Sequence, residues 1–156
     1  MPGWDRTEKM KDVTISIKGA QSSDGQEEEF FELVTDGEYS CDGGVPVFSY
    51  EESELTGYNG LMTTFKVEPE RVILSRGGGI NGDMIFSEKQ KHHFLFETPV
   101  GPITMGIDTN GIIRNLNEDG GNLEINYVID VDNSIVSYNS FQISIKGDNK
   151  SSGVHD

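Results

Sequence analysis

From Val13 to Ile145 the chain is written in period two: short runs in which every second residue is apolar, broken by turns carrying glycine, proline or asparagine. Successive side chains of a strand point to opposite faces, so such runs describe half-buried strands and do not fit the stripe of a helix. Val13, Ile15 and Ile17 open the series, interleaved with Thr14, Ser16 and Lys18, and a loop is expected from Gly19 to Gly25. Residues 28–35 (EEFFELVT) and 37–41 (GEYSC) read as one long strand bent at Asp36-Gly37 or as two. Asp42-Gly43-Gly44 then turns the chain into VPVFSYEE (45–52), where Pro46, lacking a ladder N–H, marks an edge or a strand start. After a connection over 53–60 come LMTTFKV (61–67), RVILSR (71–76), the glycine loop 77–83, MIFSE (84–88) and KHHFLFET (91–98). ITMGID (103–108) and IIRNLN (112–117) are predicted to form a hairpin through Asn110-Gly111, a dipeptide suited to a type I′ turn. Leu123, Ile125, Tyr127, Ile129 and Val131 share one face of the longest run, and Asn133-Ser134 turns it into a closing strand from Ile135 to Lys146.

About ten strands at regular spacing, with no helical pattern, make this an all-β chain, and a single antiparallel barrel of eight to ten strands is preferred to a sandwich. Strands as long as 122–132 and 135–146 would expose unpaired edges in an open sheet, and closure removes them. Composition agrees: Ile, Val and Thr total 34 residues against 8 for Ala and Leu, and β-branched side chains fit a pleated sheet better than a helix. Leu, Ile, Val and Phe make up 40 of the 156 residues, enough apolar side chain for a folded core. The expected layout is an extension at 1–11, the barrel at 12–147 and a polar tail at 148–156, with Val13, Ile15, Ile17, Phe65, Ile103, Met105, Tyr127 and Phe141 turned inward.

Charge and cysteine content narrow the function classes. Twelve Lys and Arg against 27 Asp and Glu give a formal charge of −15. Nucleic-acid binding draws on cations that displace phosphate counterions, so DNA and RNA are not expected partners. No apolar run approaches the ~20 residues of a membrane-spanning helix, and MPGWDRTEKMKD has no apolar stretch like that of a signal sequence, so the expected location is the cytoplasm. Cys41 is the only cysteine, which precludes an internal disulfide and reads as a small buried hydrophobe in a strand.

From Tyr50 onward the order of short motifs resembles the YwiB-like family of bacterial proteins. The matching pieces are YEESEL at 50–55, the strand ending in Leu74-Ser75-Arg76-Gly77, Met84-Ile85-Phe86, Thr98-Pro99-Val100-Gly101, the expected hairpin Ile103 to Ile112, and the paired strands from Leu123 and Ile135. The resemblance spans residues 12–147 and implies a calycin-like barrel, similar to lipocalins or streptavidin. It implies no activity and no catalytic residue. Relatives of that architecture often hold small molecules in the barrel mouth, but a fold does not by itself carry a function.

No motif calls for a cofactor, a metal or a catalytic centre. His92 and His93 are adjacent in a strand and point to opposite faces, so they do not share a metal; His92 shares its face with Phe94 and Phe96. Asp130-Val131-Asp132-Asn133-Ser134 is similar to the start of a calcium loop, but Ile135 stands where that loop requires Gly and Phe141 where it requires a bidentate Glu. Gly77-Gly78-Gly79 lacks the Lys and the following helix of a phosphate loop. No serine sits in a G-x-S-x-G elbow.

The leading functional expectation is therefore a non-catalytic barrel that holds a small ligand, with Arg76, Tyr50, Glu54, His92 and Glu97 as the ligand-binding set. Arg76 alternates with Val72 and Leu74, so its guanidinium is expected to point inward near the strand end and to require a counter-ion, for which Glu54 and Glu97 are the candidates and Tyr50 an added hydroxyl. Such a group either plugs the barrel end or binds an anionic ligand there. The alternative is a protein-interaction module. Between Lys18 and Lys66 there is no cation, while eleven acids fall between Asp24 and Glu54, so this flank would dock a basic protein partner.

Overall fold

The computed structural model describes residues 10–23, 25–52, 60–77 and 83–147. The alternating runs fold into β1 (Lys11–Ser22), β2 (Glu29–Ser40), β3 (Val47–Glu51), β4 (Met62–Val67), β5 (Val72–Arg76), β6 (Met84–Phe86), β7 (His92–Thr98), β8 (Gly101–Asn117), β9 (Gly120–Val131) and β10 (Ser134–Gly147). They form one ten-stranded sheet in the order β6-β5-β4-β3-β2-β1-β10-β9-β8-β7, every described pairing antiparallel. The end strands β6 and β7 lie against each other, so the sheet curls into a nearly closed barrel. Among the described residues there is no α-helix, and no helix long and apolar enough to cross a membrane.

The seam is held by side chains, because β6 is only three residues long. The Glu88 carboxylate accepts the Ile112 N–H at 2.8 Å, and the Arg114 guanidinium donates to the Pro69 carbonyl. A short edge strand capped by charged groups leaves little unpaired backbone for other chains to join.

The interior follows the period-two reading. Val13, Ile15 and Ile17 of β1 are buried, with Leu123 and Ile125 of β9 and Ile143 and Ile145 of β10. At the centre the rings interlock: Phe48 stacks on Phe65 with centroids 4.8 Å apart, Phe65 meets Phe141 edge-on at 6.1 Å, and Tyr127 contacts both Phe141 at 5.8 Å and Phe86 at 4.8 Å. Offset and edge-to-face pairs of this kind add to the free energy gained from area burial. Phe65 and Tyr127 are buried as expected, Met105 and Phe141 pack half-buried against the core, and Ile103 is only half-buried on the β7–β8 hairpin. Cys41 is half-buried beside the core.

Several boundaries differ from the sequence reading. β1 continues through Gly19 to Ser22, because Gln21 and Ser22 still find ladder partners in β2 and β10. β2 is one strand without a break at Asp36-Gly37. The predicted hairpin at Asn110-Gly111 does not form: β8 runs unbroken from Gly101 to Asn117, and the dipeptide is a register shift between Thr109 and Gly111. Both halves of β8 pair with the same strand, β9, so a bulge that re-aims the strand suits the chain there and a reversal does not. The β9–β10 turn falls one residue earlier than expected, on Asp132 (φ 53°) and Asn133 (φ 66°). Two successive positive φ values match the right-handed twist of a two-residue hairpin, and Asp and Asn tolerate them.

Candidate functional site

The alternation that puts Phe48 and Tyr50 inside carries on past the end of β3 and puts Glu52 inside as well. Glu52 has a fully buried side chain, and its backbone is clamped by Glu52 N–H to the Leu61 carbonyl at 2.8 Å and Gly60 N–H to the Glu52 carbonyl at 3.1 Å. In register, Tyr50 sits opposite Thr63 of β4, and Thr63 sits opposite Arg76 of β5. The Thr63 hydroxyl donates to Glu52 Oε2, Arg76 Nε lies 3.4 Å from the same oxygen, and the Tyr50 hydroxyl is hydrogen-bonded to the same carboxylate. A buried carboxylate thus collects a guanidinium and two hydroxyls, the satisfaction that an interior charge requires.

Of the predicted set, then, Arg76 and Tyr50 come together. Their shared acid is Glu52. Glu97 is exposed on the outer side of β7, since His92, Phe94 and Phe96 occupy the inward positions and residue 97 alternates outward. Glu54 lies outside the described residues. His92 is half-buried at the other end of the β4–β5 hairpin, away from Arg76, where it lines a cleft of about 620 Å³ with Val45, Lys66, Glu68, Arg71 and Lys89. In that cleft Arg71 Nε is 2.7 Å and Lys66 Nζ 3.6 Å from Glu68, and the Arg71 hydrogen bond, with Lys66 adding to it, holds the Glu68 carboxyl below its ordinary range.

Glu52 and Thr63 lie outside the set expected from the sequence, although alternation from Tyr50 assigns Glu52 as well as Glu54 of YEESEL to the tyrosine's face. One aspartate of the calcium-like run, Asp130, serves an ion pair instead. Asp130 is buried and pairs with Lys91 Nζ at 2.7 Å, and Asp108 lies 3.6 Å from the same ammonium. The hydrogen bond to Asp130, with Asp108 adding to it, raises the Lys91 pKa. Among the described residues no group of three or more His, Cys, Asp or Glu side chains is placed to hold a metal ion.

The polar knot has a titration consequence. Burial, reinforced by the Glu52 charge and opposed by Arg76, raises the Tyr50 phenol above its ordinary value; burial does the same at Tyr127, again against Arg76. Each phenol therefore contributes stability that is complete below about pH 10 and is lost as the pH rises, because the unfolded chain ionises first. Together the two should steepen alkaline unfolding by roughly 2.7 kcal/mol per pH unit above that point. Phenolate absorbance followed alongside circular dichroism should show these two tyrosines ionising only as β structure is lost. Ionisation of either with the β signal intact would contradict their burial.

The comparisons with known proteins agree with this architecture. Residues 15–143 match the family described as a domain of unknown function, DUF1934. The fold is similar to the crystal structure of the YwiB protein from Bacillus subtilis, with a TM-score of 0.74 and 21% identity over 89% of this chain and 93% of that one. No curated protein matches the chain. With the family match running from β1 to β10 and the same barrel in YwiB, the chain belongs to the DUF1934 family and is YwiB-like.

Proposed function

We propose that the protein is a non-catalytic barrel that binds a small anionic molecule in the cleft beside His92. What carries the reading is where the cations are. A chain with 12 Lys and Arg against 27 acids brings three cations, Lys66, Arg71 and Lys89, together with only two acids, Glu68 and Glu70, to one concavity of about 620 Å³. That volume lies in the range of small-molecule sites, whose specificity comes from a few polar groups against an apolar wall, here Val45 and Pro69. Lys66 and Lys89 are paired only with exposed or part-exposed carboxylates, at 3.6 Å to Glu68 and 3.9 Å to Glu70, contacts that an incoming carboxylate or phosphate can replace. The ring-packed centre of the barrel suits a ligand held at the end and not within. Arg76, already committed to Glu52, serves as the plug of the opposite end.

Native mass spectrometry of the protein purified from its own host should show a retained anionic species. Anilinonaphthalene sulfonate, an anionic aromatic probe, should bind saturably, and Lys66→Ser combined with Lys89→Ser should weaken it about tenfold, the equivalent of ~1.4 kcal/mol. Probe binding unchanged in that double variant, with no retained species, would remove the cleft from consideration.

A further inference from the structure

We infer that the N-terminal half of β2 is a strand-addition site for an extended, basic segment of a partner protein. The inference is independent of the cleft and rests on three features of β2. The first is its pairing. β1 pairs with β2 from Lys11↔Tyr39 to Gln21↔Glu29, whereas β3 pairs only with Gly37–Ser40, so among the described residues 29–36 carry a ladder on one side alone. The second is exposure. The outer face of this stretch is open, with Phe30 74% and Val34 61% exposed, and the inner face opens toward its start, where Phe31 is 37% exposed, while Leu33 packs half-buried against the core. The third is regularity. Residues 29–36 hold an unbroken register with β1, with no proline and no bulge, and the charges they carry, Glu29, Glu32 and Asp36, are all acidic.

Charge selects the occupant. Glu27, Glu28, Glu29, Glu32 and Asp36 run along this stretch, and the chain has no cation between Lys18 and Lys66 to offset them. A second copy laid along the edge would bring two strands of the same negative charge together, a repulsion that a basic strand does not meet. A basic strand gains both ladder hydrogen bonds and cross-strand ion pairs. The pattern of that strand follows from the register. The outer face of β2 reads Phe30, Glu32, Val34, Asp36, so the partner's matching face carries apolar residues four apart alternating with Lys or Arg four apart.

The test uses the full chain and a synthetic twelve-residue peptide with Val and Lys in that spacing, followed by fluorescence anisotropy and by amide hydrogen exchange. Saturable binding is expected, with slowed exchange confined to residues 29–36 and affinity falling steeply with salt. Methylating alternate backbone nitrogens of the peptide should abolish binding. Glu32→Lys with Asp36→Lys, both exposed positions, should weaken the basic peptide by about tenfold or more, two exposed ion pairs being lost and repulsion added. The same variant should instead take up the peptide with Glu in place of Lys. Binding that tolerates the methylated backbone, protection elsewhere in the chain, or no binding of the basic peptide would each overturn the proposal. So would a concentration-dependent dimer of the native chain that Phe30→Lys with Val34→Lys dissolves, since the occupant would then be a second copy.

Discussion

Gly121→Ala is expected to destabilise the protein by about 4 kcal/mol, among the largest single-site losses available in this chain. Gly121, the second residue of β9, lies between two neighbours, pairing with Leu116 of β8 and Ile145 of β10. Its φ of +134° lies where side chains are rarely accommodated, and an added Cβ would stand 2.0 Å from the Asn115 carbonyl oxygen and 3.1 Å from Leu116 Cα. Those atoms are backbone, fixed in a ladder, so no rotamer change relieves the contact. The register of β8 on β9 must give way. Gly43→Ala is the control: its φ is also positive, at +70°, but nothing lies within 4 Å of the new methyl group. That substitution should cost only the left-handed penalty of about 1–2 kcal/mol. Urea unfolding of the two variants checks the contrast, and a Gly121→Ala loss no larger than the Gly43→Ala loss would show that the β8–β9 register is softer than its hydrogen bonding implies.

Arg76→Met is expected to cost about 3 kcal/mol. The change removes the cation beside a carboxylate whose side chain has no exposed surface, while the arginine itself is 22% exposed. The penalty therefore comes mainly from Glu52, left interior without the cation beside the hydroxyls of Thr63 and Tyr50. Adding Glu52→Leu should recover most of the loss, because replacing both members of a buried pair by apolar groups is often close to neutral. This double variant distinguishes a structural plug from a ligand anchor. Stability restored, with the species retained in native mass spectrometry unchanged, identifies a plug. A near-normal melting temperature in the single variant combined with loss of the retained species would move the ligand from the His92 cleft to Arg76. Thermal unfolding and native mass spectrometry on the same preparations give both readings.

The period-two pattern determined much of this molecule without any structure. Val13, Ile15, Ile17, Leu123, Ile125, Tyr127 and Ile129 all face inward as their spacing demands, because a strand offers only two faces and water decides between them. The same rule carries Tyr50, Glu52 and Arg76 to the buried side, and the absence of cations between Lys18 and Lys66 makes the β2 flank acidic whatever it packs against. What it left open were relations between strands. Asn110-Gly111 carries the local signature of a hairpin, yet β9 is long enough to pair with both halves of β8, and that ladder is worth more than a preferred turn. The counter-ion of Arg76 is Glu52 because β3, β4 and β5 pair in one particular register, and neither Glu54 nor Glu97 can be ranked against it from spacing. The one-sided ladder of residues 29–36, as far as the described residues go, and the cleft beside His92 likewise follow from how far β3 pairs with β2 and from the curl of the sheet that brings β6 to β7. Alternation is a property of each strand alone and is written in its own residues; register, closure and edge depend on which strands meet, and tertiary pairing alone settles that.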